Sequence, residues 1–167
     1  RNYRDYHFED VERIDGKQLE KNITRRRGCP RCPIQCKAEL EFQNGRLKGR
    51  EVVRPEFEPM LSLGSKCGLN DLDTLVYLDN LCTQLGIDNI SAGSAIAFAM
   101  DLYDRGLIDS SDTGGLDLSW GNGEAMETLI RQMVSGEGFG AVLSKGVRRA
   151  ARTIGRGAER FAPHVKG

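Results

Sequence analysis

Apolar positions recur at helical spacing through most of the chain, and that periodicity predicts its framework. Leu72, Leu75, Val76, Leu78, Leu81, Cys82 and Leu85 share one helical face, with Asn70 or Asp71 as the cap and Gly86 as the stop. A second apolar helix opens at Asn89 or Ser91, runs through Ala95, Ile96, Phe98, Ala99, Leu102 and Tyr103, and stops at Gly106. Two more are predicted over about 124–134 and 140–154, separated by Gly136-Glu137-Gly138. Shorter ones are predicted over 16–26, with Leu19 and Ile23 at i, i+4, and over 60–64. Only the stretch from Lys37 to Val53 alternates with period two, around an Asn44-Gly45 hairpin signal, and Arg54-Pro55 ends it. The fold class is therefore mainly α: an orthogonal helical bundle of about five helices with one small β-hairpin near the N-terminus. No repeat or internal boundary interrupts the pattern, so residues 1–167 read as a single helical domain. Tyr3, Tyr6, Phe8 and Ile14 are the apolar anchors of the polar first segment.

Composition changes this picture only by exclusion. Twenty-four basic residues balance twenty-four acidic ones, so no global field points to nucleic acid or to a membrane surface. No apolar run approaches the ~20 residues of a membrane span. The chain opens Arg1-Asn2-Tyr3-Arg4, without an apolar leader, so a cytoplasmic location is the default and the cysteines need not form a secreted disulfide framework. The missing initiator Met is consistent with a piece of a longer polypeptide.

The strongest chemical signal is Cys29-Pro30-Arg31-Cys32-Pro33-Ile34-Gln35-Cys36, three thiols spaced C-x2-C-x3-C. Clustered thiolates are soft ligands, and the two prolines stiffen the run and remove backbone donors. Zinc sites usually pair their ligands, whereas an iron–sulfur cluster often takes three thiolates from one loop and a fourth from far away. The unpaired triplet fits iron and sulfur better. Cys67 and Cys82 sit in apolar sequence and read as small core residues, and His7 and His164 have no ligand spacing. The fourth ligand is then expected in another part of a longer chain. Arg25-Arg26-Arg27, just before the loop, is either a solvated charge run or positive charge that favours an acidic electron carrier.

Three further stretches carry a chemical alternative to a structural one. In Pro55-Glu56-Phe57-Glu58-Pro59 the acids could simply favour a helix N-terminus, or one could be a partly buried general base. The turn Leu85-Gly86-Ile87-Asp88-Asn89 is an ordinary helix–helix corner, or its free N–H groups and Asp88 hold a polar cofactor. Asp112-Thr113-Gly114-Gly115-Leu116-Asp117 spells D-x-x-G-L-D within a glycine-rich loop and reads as a surface turn.

Taken together, these residues resemble the tungsten- and molybdenum-dependent aldehyde ferredoxin oxidoreductase family along nearly the whole chain. The carriers of the resemblance are Arg1-Asn2-Tyr3, the cysteine loop, Pro55-Glu56-Phe57-Glu58 with Leu63-Gly64-Ser65, and Cys82 through Gly93. Leu118-x-Trp120-Gly121, Glu137-Gly138 and the closing His164-Val165-Lys166-Gly167 complete it. The resemblance implies the middle, helical domain of a three-domain enzyme with a bis-pyranopterin metal, tungsten or molybdenum, beside a [4Fe-4S] cluster. The implied reaction is aldehyde plus water to carboxylic acid, with two electrons leaving through the cluster to ferredoxin. A related reaction class on the same scaffold is that of aromatic acyl-CoA reductases; a non-pterin iron–sulfur or zinc module is the alternative from outside the family. Carried over by position, Cys29, Cys32 and Cys36 are cluster ligands and Glu58 is the active-site carboxylate. The pterin motif falls on Thr83-Gln84-Leu85-Gly86-Ile87-Asp88, with Thr83 where the family has Asp. Implied partners are the N-terminal β-rich and C-terminal helical domains of the same polypeptide, ferredoxin and a small aldehyde; a homo-oligomer is left open. The isolated piece is expected to be inactive.

Overall fold

Helix α4 (Asn89–Asp104) is the axis of the molecule, because alanines and apolar residues surround it on nearly every side. Ala92, Gly93 and the run Ala95 through Leu102 are buried. The computed structural model describes residues 1–5 and 7–165. Tyr6, taken above as an anchor, and Lys166-Gly167, the end of the closing motif, lie outside the described residues.

The elements run α1 (Gly16–Glu20), β1 (Ile23–Arg27), β2 (Lys37–Leu40), β3 (Val52–Val53), α2 (Phe57–Pro59), α3 (Leu72–Leu85), α4, α5 (Gly123–Ser135), α6 (Gly140–Leu143) and α7 (Val147–Ile154). A π turn (Met60–Gly64) and a 3-10 turn (Ser65–Cys67) extend α2. Mainly α with a small antiparallel sheet is what the periodicity predicts. Helices α3, α4 and α5 start and stop within a residue or two of the expected positions, on the side chains of Asp71, Asp88 and Asn122 as caps. Gly86 ends α3 at φ +73°, and the N–H of Ile87 reaches back to the Cys82 carbonyl at 3.1 Å.

Three local differences have physical causes. The helix expected over 16–26 stops at Glu20, and Ile23–Arg27 pair antiparallel with Lys37–Leu40 instead. Pairing wins because one face of the small sheet is buried: Leu19, Leu40, Phe42, Leu47 and Val52 form a second apolar cluster against Val76 of α3. The expected hairpin exists as Glu39↔Val53 and Leu40↔Val52, but the connection is long rather than a two-residue turn at Asn44-Gly45. The helix expected over 140–154 breaks at Gly146, which sits at φ +86°.

The main core joins α3 to α7 through Leu75, Leu78, Ile96, Phe98, Met126, Leu129 and Ala150. One close contact involves Gly93, where a Cβ would stand 2.6 Å from the Ser62 carbonyl oxygen. Absence of that Cβ lets α4 lie directly on the π turn that follows Glu58. The first segment is held by Asn2, whose side chain donates to Asp101 Oδ2 at 3.0 Å and to the Phe161 carbonyl at 3.2 Å.

Candidate functional site

The cysteine run is the loop of a β-hairpin. Its ends are fixed by the Arg27↔Lys37 pair, so residues 28–36 must close between two hydrogen-bonded strands. Within it the Cys32 N–H donates to the Cys29 carbonyl at 2.9 Å, and Arg31 takes φ +64° to make that turn. Gly28 lets the loop fold over itself: a Cβ there would stand 3.2 Å from the Cys32 carbonyl oxygen and 3.3 Å from that of Ile34. Cys29, Cys32 and Cys36 are all free and exposed. Among the described residues no three His, Cys, Asp or Glu side chains converge on a single point. The donor set itself, three accessible thiols on a pinned glycine-bearing loop, fits a thiophilic iron–sulfur group.

Cys67 and Cys82 are excluded as partners by burial. Both are fully enclosed, and desolvation pushes each thiol up to about 12, so neither readily becomes a thiolate. Cys67 donates to the Ser62 carbonyl and serves the core.

Charged side chains surround the loop. Arg26 forks onto Glu20, and Arg27 pairs with Glu39 and lies 4.0 Å from Glu51. The Arg54 side chain donates to the Cys36 carbonyl at 3.3 Å, while its N–H donates to the Ala38 carbonyl. Lys37 Nζ reaches Glu56 Oε1 at 2.6 Å, and the hydrogen bond to Glu56 holds its ammonium charged above the usual lysine range.

Glu56 precedes α2 in extended backbone and Glu58 lies in its first turn. Glu58 is exposed, as are its neighbours Phe57 and Leu61, at 74% and 38%. Two exposed large apolar side chains flanking one carboxylate form a face able to line a cavity when covered.

Gly86, Ile87 and Asp88 make the corner between α3 and α4. Asp88 Oδ1 accepts from the Ser91 N–H at 2.6 Å as a helix cap, and Thr83 Oγ1 donates to the Asp79 carbonyl. Thr83, Gly86 and Asp88 are exposed, and Ile87 is half-buried. Helix capping thus accounts for the side-chain contact of Asp88. The literal D-x-x-G-L-D stretch is a turn: Asp112 forks onto Arg156, and Asp117 accepts from Ser119.

All 167 residues match the family model described as aldehyde ferredoxin oxidoreductase, domains 2 and 3. The chain belongs to this family.

Among relatives, it is 34% identical over 140 residues to the tungsten-containing aldehyde ferredoxin oxidoreductase of Pyrococcus furiosus, covering 81% of this chain and 22% of that protein. It is also 34% identical over 140 residues to an aliphatic sulfonate oxidoreductase, WOR-like subunit, of the same organism, with the same coverage of each. The corresponding oxidoreductase of Pyrococcus abyssi is 33% identical over 166 residues, 96% of this chain and 26% of the relative. A solved structure described as the active site complex BamBC of benzoyl coenzyme A reductase with 1,5-dienoyl-CoA superposes with a TM-score of 0.75 at 30% identity, over 95% of this chain and 23% of the other. The chain therefore spans about a quarter of the length of the proteins it matches.

Within this member of the family, three polar groups escape the sequence pattern. Asp79 is 7% exposed on α3; burial pushes its carboxyl up to about 6, opposed by a 2.5 Å hydrogen bond from Asn89 and by Lys37. Lys66 is 4% exposed and donates to Ser94 Oγ. Glu127 is acted on by burial, which alone would raise its pKa, but hydrogen bonds from Tyr77, Arg131 and Arg46 outweigh it and hold the carboxyl at about 2. No short motif announces any of these, because each depends on which helix faces which.

Proposed function

We infer that this chain is the middle helical domain of a three-domain pterin oxidoreductase that oxidises aldehydes to carboxylic acids and passes electrons to ferredoxin. Family membership supports the class of enzyme. One structural observation supports the finer reading: the Lys37–Glu56 pair ties the strand leaving Cys36 to the turn carrying Glu58. Electron exit and acid–base group would then be held at a fixed spacing by one short chain of contacts.

In this reading Cys29, Cys32 and Cys36 give three thiolates to a [4Fe-4S] cluster, and a cysteine elsewhere in the polypeptide gives the fourth. A tungsten or molybdenum bis-pyranopterin, shared with the other domains, supplies the two-electron redox chemistry. Glu58 accepts a proton from the attacking water or orients the aldehyde, with Phe57 and Leu61 excluding bulk water around it. Gly86, Ile87 and Asp88 present N–H groups and a carboxylate to the pterin side, and Thr83 offers a hydroxyl where the family motif has Asp. Arg25 and Arg31, which form no salt bridge among the described residues, lie on β1 and in the cysteine loop, where they suit an acidic carrier such as ferredoxin.

The structural neighbour favours a second reading, an aromatic acyl-CoA reductase subunit. The full-length protein, purified anaerobically, separates the two. Aldehyde-dependent reduction of ferredoxin supports the first. Reduction or oxidation of an aromatic acyl-CoA ester without aldehyde turnover supports the second and overturns the first.

A further inference from the structure

Lys66 lies in the 3-10 turn at the end of the ridge that begins with Glu58, eight residues further on. Only 4% of the residue is exposed. Its ammonium donates to Ser94 Oγ at 2.7 Å, and the Ser94 hydroxyl in turn donates to the Ile90 carbonyl at 2.7 Å. The ring of Tyr3 lies 4.4 Å from the same nitrogen. No carboxylate among the described residues comes within salt-bridge distance of Lys66. A neutral hydroxyl and an aromatic face are weak compensation for a buried cation, which is normally paired with an anion.

The surroundings are built rather than incidental. Lys66 is fixed through its carbonyl, which accepts from the Asn2 N–H at 3.0 Å. Asn2 and Tyr3 both adopt left-handed backbone, at φ +45° and +59°, and the buried Asn2 side chain holds that turn in place. Tyr3 stays 69% exposed above the ammonium, and the nearby Leu61 and Ile90 are 38% and 40% exposed.

We propose that Lys66, held in place by Ser94, forms an oxyanion-binding site for a carboxylate-class group that comes from outside the described residues. Lys66 donates two remaining N–H bonds to the anion, and the Tyr3 ring closes over the pair. Two sources have this chemistry. One is the far end of an anionic aldehyde whose reacting carbon lies near Glu58, a reading that rests on the function proposed above. The other is an Asp or Glu side chain from the remaining domains, which does not.

The test uses the full-length protein with K66M, which keeps the apolar stem, and K66R, which keeps the charge. With a substrate anion, K66M raises KM for an ω-carboxylate aldehyde about tenfold or more over that for a neutral aldehyde of equal length, and K66R restores most of the difference. With a protein carboxylate, K66M lowers the melting temperature and K66R recovers it, while the KM ratio is unchanged. Acetate titration at constant ionic strength gives a reading independent of aldehyde turnover: acetate raises the wild-type melting temperature over chloride in the first case only. A K66M protein that melts at or above the wild-type temperature, ignores acetate as the wild type does, and keeps the wild-type KM ratio overturns the proposal.

Discussion

Lys37 Nζ stands 2.6 Å from Glu56 Oε1, and through that contact the strand after Cys36 is joined to the turn bearing Glu58. Both side chains are about 40% exposed, so the pair adds little to stability, on the order of 0.5 kcal/mol. Its effect is on position. E56Q is expected to shift the melting temperature little but to lower kcat about tenfold, because misplacing a catalytic group by a fraction of an ångström is costly. Wild-type kcat in E56Q would show that Glu58 is held by other contacts.

Glu58 itself carries the sharper expectation. In the full-length enzyme E58Q should lose roughly 10²- to 10⁴-fold in turnover, the range for removing a general base, with the visible absorption of the cluster unchanged. Turnover within a few-fold of wild type removes Glu58 from the proton-transfer step.

Asp79 predicts a pH dependence with a definite sign. Its folded pKa, about 6, lies above the ordinary carboxyl value of 3.8, so the folded state binds the proton more tightly than the unfolded state. Stability is therefore greatest below about pH 4 in this respect and is lost as pH rises towards 6, by about 3 kcal/mol at 1.36 kcal/mol per unit. D79N keeps the shape and has no proton to lose. Its melting temperature relative to wild type should rise between pH 4 and pH 7; a constant difference would contradict the burial of a charge at this position.

The chain's own pattern revealed α3, α4 and α5 because each combines a one-sided apolar repeat with a cap and a glycine stop. Asp71 to Gly86 is the clearest case. It missed β1, since Ile23-Thr24-Arg25-Arg26-Arg27 has four exposed positions and becomes a strand only because Lys37–Leu40 lies beside it. Among the site residues, the thiols and the Pro55–Pro59 acids were visible as local clusters. Lys66 and Asp79 were not, because burial of a charged side chain is set by tertiary contacts that leave no spacing signature. Of the two acids, one of which could be a partly buried base, Glu56 is half-buried and Glu58 is exposed.

Gly93 tests the packing beneath this ridge. Adding a methyl group would place it 2.6 Å from the Ser62 carbonyl oxygen and 2.9 Å from the Ser62 Cβ. G93A should destabilise by about 1–3 kcal/mol, as overpacked cores do, despite the better helix propensity of alanine. A melting temperature equal to or above wild type would mean that α4 can move off the π turn at no cost.

The most direct measurement is anaerobic metal analysis of the full-length protein beside its C32S variant. A cluster held by Cys29, Cys32 and Cys36 gives about four iron atoms per chain, together with tungsten or molybdenum, and C32S loses most of the iron. Zinc in place of iron, or iron unchanged in C32S, would contradict the assignment of this loop as the electron exit.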